Sequence, residues 1–252
     1  MIAIIFPNRS DFVEYCDDDD VTPSAGLRGY YSSDTNRIAL FVQSSKTKGG
    51  RHVSDVMKPS IDLFAPPRAT GFSTRTMARH SVHPSIQAGL KATLIHEATH
   101  QVAFNFGLHH RIGDNPRWVV EGLATLFEAP GIRNSNGTKG KVSKRSRLNL
   151  ERYLRFQNYA QSRRIRGSLR SFVESDRAFS SVLDAYAEAW ALTFFLAETR
   201  PRAYESFLKK IAARDPFEDY DKSDRINDFE DAFGDGMDVL ETNFLRYIAK
   251  FQ

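Results

Sequence analysis

The apolar pattern of this 252-residue chain changes period once, near residue 85, and that change limits its possible folds more than any other feature. Before it, apolar residues come in short runs rich in β-formers. Ile2–Phe6 is strand-like. Ser10 or Asp11 can cap a short helix through Tyr15. Residues 29–31 and 37–42 flank the polar stretch 32–36 and read as a hairpin. After it, the apolar residues recur at helical spacing, in segments punctuated by Pro and Gly. Ser85 follows Pro84 and can cap a helix over 86–106, ended by Gly107. Asn115 and Pro116 suit the cap and first position of a second helix. It must stop near residue 129, because Pro130-Gly131 cannot continue it. A third spans 181–199, with Val182, Tyr186, Ala189, Trp190, Thr193 and Phe194 at helical spacing. Pro201 can open a fourth to about 213, and a last covers 239–250. The expected class is α+β: a small N-terminal mixed or antiparallel sheet, then a mainly helical region.

At 41% hydrophobic and 26% charged, the chain has globular proportions, which exclude a disordered chain and a fibre. The single cysteine, Cys16, excludes an intrachain disulfide framework. A chain of this length buries roughly 70–75% of its unfolded surface, so neither a disulfide nor a metal is needed merely to hold a core. No apolar run approaches the roughly 20 residues of a membrane span. Residues 1–6 lack a basic leader, so a cytoplasmic compartment is expected, or export if a leader has been removed. The net charge of +4 is unevenly spread. Residues 133–170 hold twelve Lys and Arg against one acid, Glu151; residues 215–241 hold eleven acids against two bases. The basic block reads either as a surface for an acidic or nucleic-acid partner, or as a face neutralised by the acidic block. Arginines interleaved with Tyr153, Phe156 and Tyr159 suit a single-strand binder, but Leu148, Leu150, Tyr153, Leu154 and Phe156 also suit a buried helix face. Residues 134–146, polar and basic with glycines, read as a loop.

Chemistry concentrates in His96-Glu97-Ala98-Thr99-His100. Histidines at i and i+4 share one helix face, about 5–6 Å apart at Cβ, so both imidazoles can reach one metal ion. Glu97 is rotated about 100° from His96 and flanks that ion, where it can take a proton from bound water. Chance gives this pattern in roughly one such chain in a hundred, so context decides. Ala92 and Ala103 keep the histidine face open, while Leu90, Leu94 and Val102 supply apolar surface elsewhere. Catalytic zinc takes three protein ligands and keeps one position open. Glu121 lies twenty-one positions after His100, among Val119, Val120, Leu123, Ala124, Leu126 and Phe127. A carboxylate in such surroundings is costly unless paired or bound to metal. Gly122 beside it is a poor helix former, which implies that another backbone approaches closely there. The plainer alternative is a pair of surface histidines and a surface glutamate on amphipathic helices. His109 and His110 read as loop histidines, Glu188 as a surface residue, and His52, His80 and His83 have no usable partner spacing.

His96-Glu97-x-x-His100 followed by Trp118-x-x-Glu121-Gly122-Leu123-Ala124 resembles the gluzincin metallopeptidases. With 185–192 included, the chain is most similar to bacterial peptidase-MA-like proteins of unassigned function. The resemblance is specific over 85–130 and weaker over 180–250. It implies His96, His100 and Glu121 as ligands of one Zn2+ and Glu97 as general base. It also implies a zincin-like sheet with active-site helices over 1–130, and a helical subdomain over 131–252 that completes the cleft. Gluzincins commonly place a tyrosine where it donates to the oxyanion, and Tyr186 is the candidate. It equally fits a core stripe with Trp190 and Phe194.

The activity so implied is peptide-bond hydrolysis, with a metal-bound water activated by Glu97. The segment 37–42 is expected to offer a sheet edge to a peptide or protein substrate. No Gly-x-Met-Glu-Asn-type segment is present to hold a free amine, which favours an endopeptidase over an aminopeptidase. The rival function is an inactive peptidase-like binding module working through 133–170.

Overall fold

The computed structural model describes residues 2–24, 26–42, 84–133, 143–234 and 236–251. His52, His80, His83 and most of the expected loop over 134–146 lie outside the described residues. The chain divides into two compact units, residues 1–101 and 102–252. Its class is the expected one, a small mixed sheet followed by a mostly helical region.

In the first unit, β1 (Ile2–Phe6) leads into α1 (Arg9–Asp18). The helix is capped two or three residues earlier than Ser10 or Asp11 would cap it, because the Asn8 side chain accepts from the Asp11 N–H at 3.0 Å. β2 (Gly29–Ser32) and β3 (Arg37–Phe41) form the expected hairpin. Asn36 turns it at φ 56°, a left-handed conformation that asparagine tolerates. The sheet order is β1-β3-β2, with β1 parallel to β3 from Ile2↔Arg37 to Phe6↔Phe41, and β2 antiparallel to it. β3 is therefore the central strand and offers no edge to a substrate. Both of its sides are already hydrogen-bonded, and among the described residues the edges are β1 and β2. Phe12, Tyr15 and Cys16 of α1 pack with Leu27, Tyr30, Ala39 and Phe41.

The long helix α2 (Pro84–Asn105) starts at Pro84 itself, which suits a first helical turn, and Gly107 follows it at φ 69°. Two features tie α2 to the hairpin. A Cβ on Gly29 would lie 2.8 Å from Leu40 Cβ and 3.0 Å from Thr93 Cγ2, so only glycine lets the helix come this close. Gln101 also donates to the Asn36 carbonyl at 2.6 Å.

The second unit is helical: α3 (Arg117–Phe127), α4 (Pro130–Arg133), α5 (Leu150–Ser162), α6 (Leu169–Glu174), α7 (Val182–Thr199), α8 (Pro201–Ala212), α9 (Lys222–Phe233) and α10 (Met237–Ala249). Short 3-10 turns at Lys144–Arg147 and Asp176–Ser180 precede α5 and α7. α7 is apolar nearly all round, and residues 185–196 are buried along their whole length, as a central core helix requires. Trp118 of α3 stacks on Phe207 of α8 at 5.7 Å between centroids, with Phe229 of α9 edge-on. The middle of the acidic block folds as α9. Asp221 caps it, and Ile226, Phe229 and Phe233 face inward. On α5 the buried face carries Tyr153 and Phe156, whereas Leu150 and Leu154 are exposed.

Most arginines of the basic block have carboxylate partners inside this unit. Arg164 reaches Glu188 at 2.7 Å and Glu241 at 2.6 Å. Arg155 and Arg163 share Asp184, Arg147 pairs with Glu198, and Arg170 with Glu230. Glu188 is consequently a buried residue and not a surface one.

Candidate metal centre

His96 and His100 lie one turn apart on α2, both buried, with their Nε2 atoms 3.1 Å apart and rings nearly perpendicular. Two nitrogens on one tetrahedral zinc, each at 2.0–2.1 Å, would be about 3.3 Å apart. The pair thus already has the spacing a shared ion demands. Thr99, between them, turns its hydroxyl back onto the Ile95 carbonyl at 2.8 Å and leaves the histidine face clear. Glu97 is buried to 1% exposure on the same helix.

Glu121 sits mid-way along α3, whose residues Trp118 to Leu126 are all buried. Its own exposure is 0%. One ligand atom each from His96, His100 and Glu121 lie within 4.8 Å of one another. The donor set fits zinc: two imidazoles and one carboxylate, buried and converging.

Local interactions explain how Glu121 is held. Asn115, expected to cap α3, instead clamps the preceding loop. It accepts from the His110 N–H at 2.9 Å and donates to the His110 carbonyl at 2.7 Å. The first N–H of the helix is taken by the Asp176 carboxylate at 2.9 Å. Thr125 donates to the Glu121 carbonyl at 2.7 Å. Gly122 does admit another backbone: a Cβ there would lie 2.8 Å from the Ala189 carbonyl oxygen of α7 and 2.1 Å from Thr193 Oγ1.

That close approach sets Tyr186 of α7 beside Glu121. Tyr186 is wholly buried, and the charges of Glu121 and Arg117 both act on its hydroxyl. Burial first, and then the Glu121 charge, push the hydroxyl well above the usual tyrosine range, while Arg117 opposes them. The ring is fixed by Phe179 edge-on at 5.7 Å and by the buried Arg152 guanidinium at 5.7 Å from its centroid. Sequence reasoning missed Arg117 and Arg152. One opens a helix and the other sits in a basic block, and neither position marks them as neighbours of a tyrosine far along the chain. His109 is buried and packs edge-on against Phe104.

A family model described as "Protein of unknown function (DUF1570)" matches residues 90–218, or 129 of the 252 residues, and the chain belongs to that family. The matched stretch includes His96, Glu97, His100, Glu121 and Tyr186. No curated protein and no solved structure matches the chain.

Proposed function

We propose that this DUF1570 member is a zinc-dependent peptide-bond hydrolase of gluzincin type, acting as an endopeptidase. One observation carries the reading: two imidazole nitrogens 3.1 Å apart and a fully buried carboxylate form a group that could hold a metal ion. Buried ionisable groups are expensive, and three of them aimed together suit a cation better than a core.

His96, His100 and Glu121 would hold the ion. The chemistry that zinc supplies in such a site is Lewis acidity toward a carbonyl oxygen and a supply of hydroxide near neutral pH. Glu97 follows His96 directly and lies off the ligand direction by about 100°, so its carboxylate flanks the site without entering the ligand set. There it accepts the proton of the attacking water on a carboxylate oxygen and passes it to the departing amine nitrogen.

The rival reading, a binding module working through 133–170, is weakened because most arginines of that block are already matched within the chain. Arg147, Arg152, Arg155, Arg163, Arg164 and Arg170 all face carboxylates of their own chain. A peptide or protein substrate is the proposed partner, and nucleic acid is not. Among the described residues no helix is long and apolar enough to cross a membrane.

The test is metal analysis of the purified protein after zinc reconstitution. The wild type should hold about one equivalent per chain, while His96→Ala and Glu121→Ala lose most of it. Glu97→Gln should keep the metal and lose hydrolysis of a quenched fluorescent peptide library. A wild type that takes up no zinc would overturn the proposal.

A further inference from the structure

We propose that the touching loops over 106–114 and 213–219 form a docking surface for a lysine- or arginine-rich segment of another polypeptide that carries an apolar anchor side chain. All of these residues belong to the second unit, and nothing in the surface depends on a bound metal.

Three large apolar side chains stand in water here. Phe106 and Phe217, at 85% and 82%, are the most exposed large hydrophobics among the described residues, and Ile112 is 63% exposed. Single apolar residues on a surface are ordinary, but these three are gathered by packing. Arg111 donates to the Asn105 side chain at 2.7 Å, which draws together the two ends of the loop that carries Phe106 and Ile112. Gly113 then meets the loop that carries Phe217. At its φ of 92° a Cβ would lie 2.2 Å from the Pro216 carbonyl oxygen, so only glycine allows both this conformation and this approach.

The Phe217 loop is a built turn. The Asp215 carboxylate accepts from the Phe217 N–H at 2.9 Å, and its carbonyl accepts from the Glu218 N–H at 3.2 Å. An aromatic anchor already held in this way loses little freedom when a partner covers it, and such anchors dominate binding energy at interfaces.

The charge around the patch selects the partner. Asp114, Asp215, Glu218 and Asp219 are all exposed and flank Ile112 and Phe217 along the chain. The cations beside them are engaged elsewhere: Arg214 with Asp224 at 2.8 Å and Asp228 at 3.4 Å, and Lys222 with Glu174 at 3.6 Å. An apolar centre with an acidic rim attracts a cationic chain. It repels nucleic-acid phosphates and anionic lipid. A second copy of this chain, related by a two-fold axis, would set the same acidic rim against itself.

The test is fluorescence anisotropy with a short labelled peptide of lysines interrupted by leucine and phenylalanine. Two control peptides replace its lysines with glutamate or its apolar residues with serine. Wild type and Glu97→Gln are both measured, so that cleavage of the probe cannot pass for loss of binding. The lysine peptide should bind, more weakly as salt is raised, and both controls should fail. Phe217→Ser should weaken binding about 10-fold or more. Glu218→Lys with Asp219→Lys should weaken it too and flatten its salt dependence. Phe217 is exposed, so its loss leaves the core intact, and Ile112→Ser offers a second, independent truncation. No binding, equal binding of either control, or wild-type affinity in Phe217→Ser would overturn the proposal. A concentration-dependent dimer in sedimentation that Phe217→Ser dissolves would assign the patch to self-association and overturn it as well.

Discussion

Replacing Gly122 with alanine adds one methyl group where the two central helices of the second unit meet. Its carbon would lie 2.1 Å from Thr193 Oγ1, 3.1 Å from Thr193 Cβ and 2.8 Å from the Ala189 carbonyl oxygen. Ordinary contact begins near 3.4 Å. Thr193 is β-branched and buried, so it has few rotamers with which to retreat. The Ala189 carbonyl moves only if α7 moves. Overpacking of this kind costs about 1–3 kcal/mol and sometimes more. Against it stands a helix-propensity gain of about 1 kcal/mol for alanine over glycine. The overlap is deep and one neighbour is backbone, so the cost belongs at the upper end, and the net loss is about 2 kcal/mol. Urea denaturation followed by tryptophan fluorescence should show it as a lower midpoint with an unchanged slope. Thr193→Ala in the same chain removes the 2.1 Å contact and leaves the carbonyl, so the double variant should recover part of the loss. A Gly122→Ala protein as stable as the wild type would refute the close-approach argument, and with it the account of how Tyr186 is brought beside Glu121.

Other consequences concern the buried charges and the thiol. Arg164 lies between Glu188 and Glu241, which also accepts from the Gly167 N–H at 2.8 Å. Arg164→Met strands two buried carboxylates and should lose about 3–5 kcal/mol at neutral pH; a loss within error of zero would deny the buried triad. Burial holds the Glu188 carboxyl above its ordinary value even though Arg164 opposes the shift. Its contribution to stability is therefore complete below the unfolded value near 4.5 and declines as pH rises through the folded one. The urea midpoint of Glu188→Gln should gain on the wild type between pH 4 and pH 7, and a gap constant across that range would contradict the sign. Burial, followed by the charges of Asp17 and Asp19, pushes the Cys16 thiol up to about 12. Ellman's reagent at pH 8 should leave the native protein unlabelled and react once urea is added; prompt native labelling would refute its burial.

How much the sequence discloses depends on how local each signal is. Helix ends at Gly107 and Pro201, and the hairpin with its turn at Asn36, are set by neighbours in the chain, and the structure follows them closely. Caps are harder, because a cap residue can be recruited elsewhere. Asn115 bonds to His110, and the start of α3 is satisfied by Asp176, far along the chain. The order β1-β3-β2 was not legible either. Hairpin pairing is local, but the parallel pairing of β1 with β3 depends on which strand the chain returns to, and alternation of apolar residues does not encode that. The acidic block reads as charge until Ile226, Phe229 and Phe233 are set at helical spacing, when its middle becomes α9. Glu188 misleads for a related reason: a glutamate on an apolar helix reads as surface unless its arginine is known, and Arg164 lies twenty-four positions earlier.

The same contrast accounts for the candidate site. The histidine spacing is a property of one helix, so it is fully written in five residues. Glu121 is announced by the cost of its surroundings, and Gly122 by a local preference it violates. Tyr186 and Arg117 break no local rule, since a tyrosine in a core helix and an arginine at a helix start are both ordinary. What joins them is the packing of α3 on α7. This division bears on what the buried charges are for. If stability alone had shaped the region, apolar side chains of similar volume would serve as well or better than His96, Glu97, His100 and Glu121. The chain instead buries all four and surrounds one of them with a tyrosine and an arginine. Such an arrangement makes physical sense if the region is built to hold a cation.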